Sequence, residues 1–162
     1  MAFGFKRTIQ SKGPDRFVIN LRGDLRDVIA AVCDDVLAAL EEDDATLHDP
    51  SLRRVFPVAH VSDESVNDAY RDLVHSDLLR TRREALERVS ATARDSELDR
   101  ATLETWMIGL NTIRLVLGTR LDVSEEGSPR LKSDDPELPA WALYEFLGAL
   151  VEMVVDALAR TS

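Results

Sequence analysis

DRATLETWMIGLNTIRLVLGTRL, residues 99–121, has the strongest structural signal in the sequence. Its apolar residues recur at steps of three and four, which is the spacing of one face of an α-helix. These residues are Leu103, Trp106, Met107, Leu110, Ile113, Leu117 and Leu121. Other apolar side chains widen the face until little polar surface remains (Ile108, Leu115 and Val116). The pattern therefore predicts a central helix that packs on more than one side.

Two polar residues, Asn111 and Arg114, interrupt this apolar stretch. A guanidinium near a core must find acceptors for its five donors. We expect Glu145 or Glu152 of a later helix, or an acidic side chain near Asp72, to supply the opposite charge. Two interpretations stay open: a structural polar contact, or a binding site for a partner or a small ligand.

The rest of the chain predicts a single, mainly α domain over residues 1–162 with a small β component (α+β). Alternating apolar residues on both sides of a turn at residues 11–15 indicate a β-hairpin within residues 1–22. Helical periodicity runs through residues 24–121 and slips at residues 75–77, where we expect one helix to end and another to begin. An exposed, acidic, proline-containing loop over residues 122–138 precedes a C-terminal helix at residues 139–160. The expected fold has about five helices, with the central and C-terminal helices as its core.

Composition restricts the classes of function. The chain has 162 residues, of which 44% are hydrophobic and 31% charged, and its net charge is −10. This composition is typical of a globular protein, and we expect a cytoplasmic one because no apolar run approaches the length of a membrane span and the N-terminus lacks a signal-peptide pattern. The negative charge disfavours binding to nucleic acid.

The densest basic stretch of the chain, Arg80 to Arg94, raises direct DNA binding as an alternative. Glu84 lies midway between Arg80 and Arg88, and Glu87 follows Arg83 by four residues. Pairs at this spacing neutralise one another along a helix. We therefore expect a solvated face whose charges pair within the helix.

The sequence predicts no catalytic residues, no metal site and no cofactor. Its three histidines lack metal-ligand spacing, and no phosphate-binding loop, nucleophile elbow or paired acid and base is present. The single cysteine, Cys33, excludes an internal disulfide. Because Cys33 shares an apolar stripe with Ile29 and Val36, we expect a buried, structural thiol, with redox sensing as the alternative.

The C-terminal helix is apolar around most of its circumference. Trp141, Phe146, Leu150 and Met153 cannot all face one neighbouring helix if they circle the helix surface. A second copy of the chain would cover the remainder. We therefore expect a homodimer.

The chain resembles an actinobacterial family, the domain of unknown function numbered 2017. The resemblance rests on Trp106, on the segment from Leu110-Asn111 to Arg114-Leu115-Val116-Leu117-Gly118-Thr119-Arg120-Leu121, on Arg53-Arg54-Val55-Phe56-Pro57, on Tyr70-Arg71 with Leu73, and on Trp141 and Tyr144. One branch of this family is described as an oxidative-stress regulator of transcription that senses oxidants with a cysteine pair and acts through a sigma factor. The resemblance implies such a partnership here, but a disulfide switch cannot carry over to a chain with one cysteine.

The function expected from the sequence is a regulatory or adaptor protein that binds protein partners, with the transcription machinery as one candidate. Asn111, Arg114, Arg53 and Arg54 are the candidate binding residues. The alternative is an enzyme or small-ligand binder with a helix-lined pocket around Arg114, and direct DNA binding ranks third.

Overall fold

The fold is known here from a computed structural model that describes residues 7–41, 64–123 and 131–161, with side chains described in those ranges outside residues 41 and 64–76. The elements follow in the order β1 (Ile9–Ser11), β2 (Phe17–Ile19), α1 (Gly23–Glu41), α2 (Glu64–Thr92), β3 (Glu97–Leu98), α3 (Arg100–Arg120) and α4 (Leu138–Arg160). The mainly helical class with a small sheet is confirmed.

The number of helices differs from the sequence-based expectation. The described residues form four helices instead of about five, because α2 continues without a break through residues 75–77. A slip in apolar spacing does not end a helix when the backbone hydrogen bonds continue and no proline or glycine interrupts them. Residues 42–63, which belong to the stretch expected to be helical, lie outside the described residues.

Three short antiparallel strands form one sheet in the order β1-β2-β3. The expected hairpin is present, with Ile9 opposite Ile19 and Ser11 opposite Phe17. The third strand was not expected from the sequence, and its Leu98 lies opposite Phe17. A strand of two residues is too short to show an alternating pattern, so only the fold reveals it.

Helix α3 is central, as its periodicity predicts, and it packs against both α2 and α4. Its most deeply buried large side chains follow the predicted spacing: Leu103, Trp106, Leu110, Ile113 and Val116. Helix α4 contributes Leu147, Leu150 and Val154 to the same core. In the described part of the chain, no helix is both long enough and apolar enough to cross a membrane.

Asp99 determines where α3 begins. Its carboxylate accepts a hydrogen bond from the backbone N–H of Thr102 at 2.8 Å, which satisfies one donor at the start of the helix. Hydrogen bonds from Thr102 hold the pKa of Asp99 below its ordinary value. Because the folded pKa is depressed, this cap contributes stability above the unfolded pKa and loses it as the pH falls through the folded value.

Gly109 allows α2 and α3 to approach closely. A Cβ atom at position 109 would lie 2.6 Å from Cγ2 of Val89 and 3.1 Å from the carbonyl oxygen of Ala85. We expect Gly109→Ala to lower the free energy of unfolding by about 1–3 kcal/mol, since overpacking outweighs the gain in helix propensity. Urea denaturation measures this change.

Gly23→Ala is the matched control for that substitution, because no heavy atom lies within 4 Å of a Cβ at position 23. It should change stability by no more than about 0.5 kcal/mol. Equal stabilities of the two variants would show that the helices are not in close contact at Gly109.

Candidate functional site

Arg114 lies in a crossed contact between α3 and α4. Its guanidinium carbon is 5.6 Å from the centroid of the Tyr144 ring, within the range of a cation–π interaction. A Cβ at Gly148 would lie 3.4 Å from Nε of Arg114, and a Cβ at Gly118 would lie 2.9 Å from Cε2 of Tyr144. Each helix therefore supplies one large side chain and one glycine, and at Gly118 a Cβ would be too close to the Tyr144 ring, whereas at Gly148 it would make an ordinary van der Waals contact with Arg114.

The expected pairing of Arg114 with Glu145 or Glu152 was wrong for the described ion pairs, whereas the side chain of Asp72, near the third expected position, lies outside the described side chains. Glu145 and Glu152 are exposed, and the described residues place no carboxylate within ion-pair distance of the half-buried guanidinium. Helical spacing predicts that Arg114 can face α4, but the register between the helices determines which residue it meets, and that residue is Tyr144. Nε of Arg114 is buried without a hydrogen-bond partner among the described residues.

Of the other three candidate binding residues, the structure describes Asn111. It lies three residues before Arg114 on α3 and is half-buried. Arg53 and Arg54 lie outside the described residues. A ligand-binding role for any of the four stays a prediction.

Cys33 is fully buried in the core beside α2 and α3, on the same face of α1 as Ile29 and Val36. Burial, followed by the nearby charge of Asp34, raises the pKa of its thiol to about 12. The thiol therefore stays protonated at neutral pH, and a protonated thiol is a poor nucleophile.

We expect Cys33 to react slowly with a maleimide in the native protein at pH 7, at least about a hundredfold more slowly than in denaturant, because the thiol is both buried and protonated. Labelling followed by intact-mass measurement checks this. A Cys33→Ser, Ser96→Cys variant is the control, because Ser96 is exposed and should give fast native labelling. Fast native labelling of Cys33, or an intermolecular disulfide formed in peroxide, would contradict a structural role.

Arginines of the basic stretch, residues 80–94, make contacts within the chain, but not with the glutamates predicted from spacing. Arg80 pairs with Asp77 at 3.2 Å, and Arg94 pairs with Asp27 of α1 at 2.7 Å. The prediction that Glu84 and Glu87 pair with this stretch was wrong for the described ion pairs. The carboxylates that pair with these arginines are Asp77, three residues before Arg80, and Asp27 of α1.

Two further arginines of α2 connect it to α3. Arg82 donates to the hydroxyl of Thr112 and Arg88 donates to the hydroxyl of Thr102, each at 3.2 Å. Much of the basic charge that suggested DNA binding therefore takes part in contacts between helices.

Sequence reasoning missed Arg26, which connects three parts of the fold. Its guanidinium donates to the carbonyl oxygens of Ile19 at 2.6 Å and Leu21 at 2.9 Å, next to the end of β2, and to those of Ala93 at 3.0 Å and Asp95 at 2.7 Å, after α2. No local pattern reveals this role, because two of the four acceptors lie about 70 residues away in the chain.

Arg100 has a similar role at the other end of the sheet. Its Nε donates to the carbonyl oxygen of Pro14 at 2.9 Å, and Nη2 donates to the hydroxyl of Thr161. The guanidinium carbon also lies 5.8 Å from the centroid of the Phe17 ring. Arg100 therefore holds the hairpin turn against the end of α4.

Two grooves in the described surface are large enough to receive part of a partner. The first, of about 400 Å³, lies between the free edge of β1 and α4, and we call it the β1 groove. Its walls include Arg7, Ile9 and Ser11 on the strand side and Met153, Asp156 and Arg160 on the helix side. The second lies between α2 and α3 and has two parts, of about 330 and 370 Å³, that share Thr81 and Ile108.

The apolar ring that suggested a homodimer is largely covered within one chain. Trp141 and Leu150 are buried, Phe146 packs against the core, and only Met153 of the four is exposed, at 41%. The argument that one domain cannot cover these residues was therefore wrong for Trp141 and Leu150. The homodimer itself stays a prediction, which light scattering at micromolar concentration tests.

Comparison with known proteins identifies the family. A family model described as a domain of unknown function, DUF2017, matches residues 4–158. The chain belongs to this family. The matched range contains both glycines and both large side chains of the crossed contact.

Two mycobacterial relatives have functional names. A putative oxidative stress regulator AosR from Mycobacterium leprae is 28% identical over 130 residues, which cover 70% of this chain and 60% of the relative. The oxidative stress regulator AosR of Mycobacterium tuberculosis is 28% identical over 124 residues, which cover 66% of this chain and 57% of the relative. The alignments thus span less than two thirds of the relatives' length. No solved structure matches this chain at a significant level.

Proposed function

We propose that this chain is a cytoplasmic regulatory protein of an oxidative-stress response, and that it acts by binding other proteins and not by catalysis. The observation that carries the proposal is the similarity to relatives named oxidative stress regulators, which extends over 66–70% of this chain. A component of the transcription machinery, with a sigma factor as the first candidate, is the partner we propose.

The chemistry of Cys33 restricts how such a regulator would receive its signal. The chain contains one cysteine, and its thiol is buried and protonated at neutral pH. A disulfide formed within this chain therefore cannot be the switch. The oxidant signal would reach this protein through its partner or through its own abundance.

Affinity purification of the tagged chain from its native host, with and without peroxide, tests the proposal. We expect a sigma factor or another polymerase component to be enriched, and we expect deletion of the gene to alter peroxide-induced transcripts. A Cys33→Ser variant should restore the transcript response. Unchanged transcripts in the deletion strain together with no enriched polymerase component would overturn the proposal, and failure of Cys33→Ser to complement would return the cysteine to the mechanism.

A small-ligand binder or enzyme around Arg114 is the second candidate. The specific observation in its favour is the buried Nε of Arg114, which has no hydrogen-bond partner among the described residues. Phosphate, sulfate and acetate are suitable probes, because a guanidinium binds oxyanions. A rise in Tm with one of these anions that Arg114→Lys abolishes would favour this candidate, whereas an unchanged Tm would favour the first proposal.

Direct DNA binding ranks third, because four arginines of the basic stretch, Arg80, Arg82, Arg88 and Arg94, contact other residues of the chain. A gel-shift titration with random-sequence DNA at low and high salt tests it. A salt-dependent shift would raise this function above the others, because such dependence is the mark of phosphate binding.

A further inference from the structure

We propose that the β1 groove is a docking site for an extended, acidic segment of a protein partner, which adds to β1 as a further strand. This inference rests on the proposed function as a protein-binding regulator, and it names the surface and the chemistry of the partner.

The free edge of β1 supplies the main-chain groups for such pairing. The carbonyl oxygen of Thr8 accepts from the N–H of Asn20 at 2.7 Å, and the N–H of Lys12 donates to the carbonyl oxygen of Arg16 at 2.8 Å. Main-chain groups alternate in direction along a strand, so those of Thr8 and Lys12 face β2. The intervening groups of Ile9 and Ser11 face outward, where no described strand pairs with them.

Ile9 and Ser11, whose main-chain groups face outward, line the groove. Arg7 and Thr8, just before the strand, complete its strand wall. An edge with unpaired N–H and C=O groups beside a concave surface is the geometry in which proteins bind an extended peptide by strand addition. The occupant of the groove is therefore a strand, not a helix.

The helix wall of the groove selects the side chains of that strand. Met153 is 41% exposed and lies beside the buried Ala157, which gives an apolar surface that fits an aliphatic side chain of the partner. Methionine adapts to different partner shapes because its side chain is flexible.

The charge of the groove indicates an acidic partner. Arg7 and Arg160 line it together with one carboxylate, that of Asp156, which pairs with Arg160 at 3.0 Å. The local balance is positive on a chain whose net charge is −10. A second copy of the chain would bring two grooves of the same sign together, so electrostatic complementarity favours a different, acidic partner over self-association.

Three synthetic heptapeptides with blocked ends test the proposal: alternating Glu and Val, alternating Lys and Val, and alternating Ser and Val. We expect the protein to bind the Glu peptide more tightly than the other two peptides. The affinity for the Glu peptide should fall as the salt concentration rises. Amide NMR should show the N–H groups of Ile9 and Ser11 becoming protected from exchange, while that of Gln10 is already protected without peptide.

Two substitutions distinguish strand addition from general attraction. Ser11→Pro removes an outward N–H without removing a bond to β2, and we expect it to weaken binding of the Glu peptide by about tenfold. Ser11→Ala is its matched control, since it keeps the N–H. Arg160→Glu changes only an exposed side chain and should shift the preference toward the Lys peptide, which keeps the test informative if Ser11→Pro disturbs the hairpin.

Loss of binding in Ser11→Pro but not in Ser11→Ala supports strand addition, as does the changed preference of Arg160→Glu. Three results would overturn the inference. The first is the absence of any amide shift with up to about 5 mM peptide, and the second is a set of shifts confined to the groove between α2 and α3. The third is protection of the Ile9 and Ser11 amides that rises with protein concentration in the absence of peptide. If Ser11→Pro still purifies with a polymerase component, the docking site is wrong while the proposed function stands.

Discussion

We expect Arg26→Ala to lower the free energy of unfolding by about 3 kcal/mol, because it leaves four main-chain carbonyl oxygens without their charged donor. The acceptors lie at or just after the end of β2 and just after α2, so the substitution removes a connection between α1, the sheet and the segment that follows α2. Urea denaturation monitored by circular dichroism measures the change. Arg26→Lys should recover only part of the loss, because one ammonium group cannot reproduce the planar arrangement of the guanidinium donors.

Arg22→Ala is the control for Arg26. Arg22 pairs with Asp24 at 2.9 Å, but its side chain is 76% exposed, and an exposed ion pair of this kind contributes little to stability. Arg22 and Arg26 are four positions apart in the sequence, yet we expect a large loss of stability from substitution of Arg26 and almost none from substitution of Arg22. A similar loss of stability in both variants would show that charge, and not the carbonyl contacts, accounts for the result.

Trp106→Ala has a second large expected effect, a loss of about 4 kcal/mol. The indole is fully buried in the middle of α3, and its Nε1 donates to the hydroxyl of Thr92 at 2.7 Å. The substitution removes a large apolar side chain and one hydrogen bond in the same place. Guanidinium denaturation followed by circular dichroism avoids dependence on the fluorescence of the deleted residue.

A pair of phenylalanine substitutions separates the contribution of the hydrogen bond. Trp106→Phe leaves the hydroxyl of Thr92 without its donor, whereas Trp141→Phe removes a buried indole N–H that has no partner among the described residues. We expect the first to cost more than the second, since losing a bonded polar group is worse than losing an unbonded one. A greater cost for Trp141→Phe would contradict this assignment of hydrogen bonds.

Much of the fold could be predicted from the sequence because its longest signals are periodic. The apolar spacing of α3 identified the buried face that includes Trp106, Leu110 and Ile113, and the alternating runs identified the hairpin. Local spacing contains this information, since the period of side chains follows directly from backbone geometry. Strand β3 has only two residues and is determined by its partner strand instead.

Less of the candidate site could be predicted, because its contacts join distant segments. Arg26 bonds to carbonyl groups after residue 92, and Arg114 meets an aromatic ring on α4 where a carboxylate was expected. The β1 groove depends on which strand lies at the edge of the sheet, and the order of strands is a property of the topology. None of these relations leaves a local pattern in the sequence.

The crossed contact between α3 and α4 has a consequence for how the family can diverge. A Cβ at Gly118 would lie 2.9 Å from Cε2 of Tyr144, closer than side chains pack, so a larger residue at position 118 requires a smaller residue at position 144. Positions 118 and 144 should therefore covary, whereas a Cβ at Gly148 would make only an ordinary van der Waals contact with Arg114. A single change at position 118 would be selected against until position 144 also changes, so this contact between the two helices should evolve in coordinated steps.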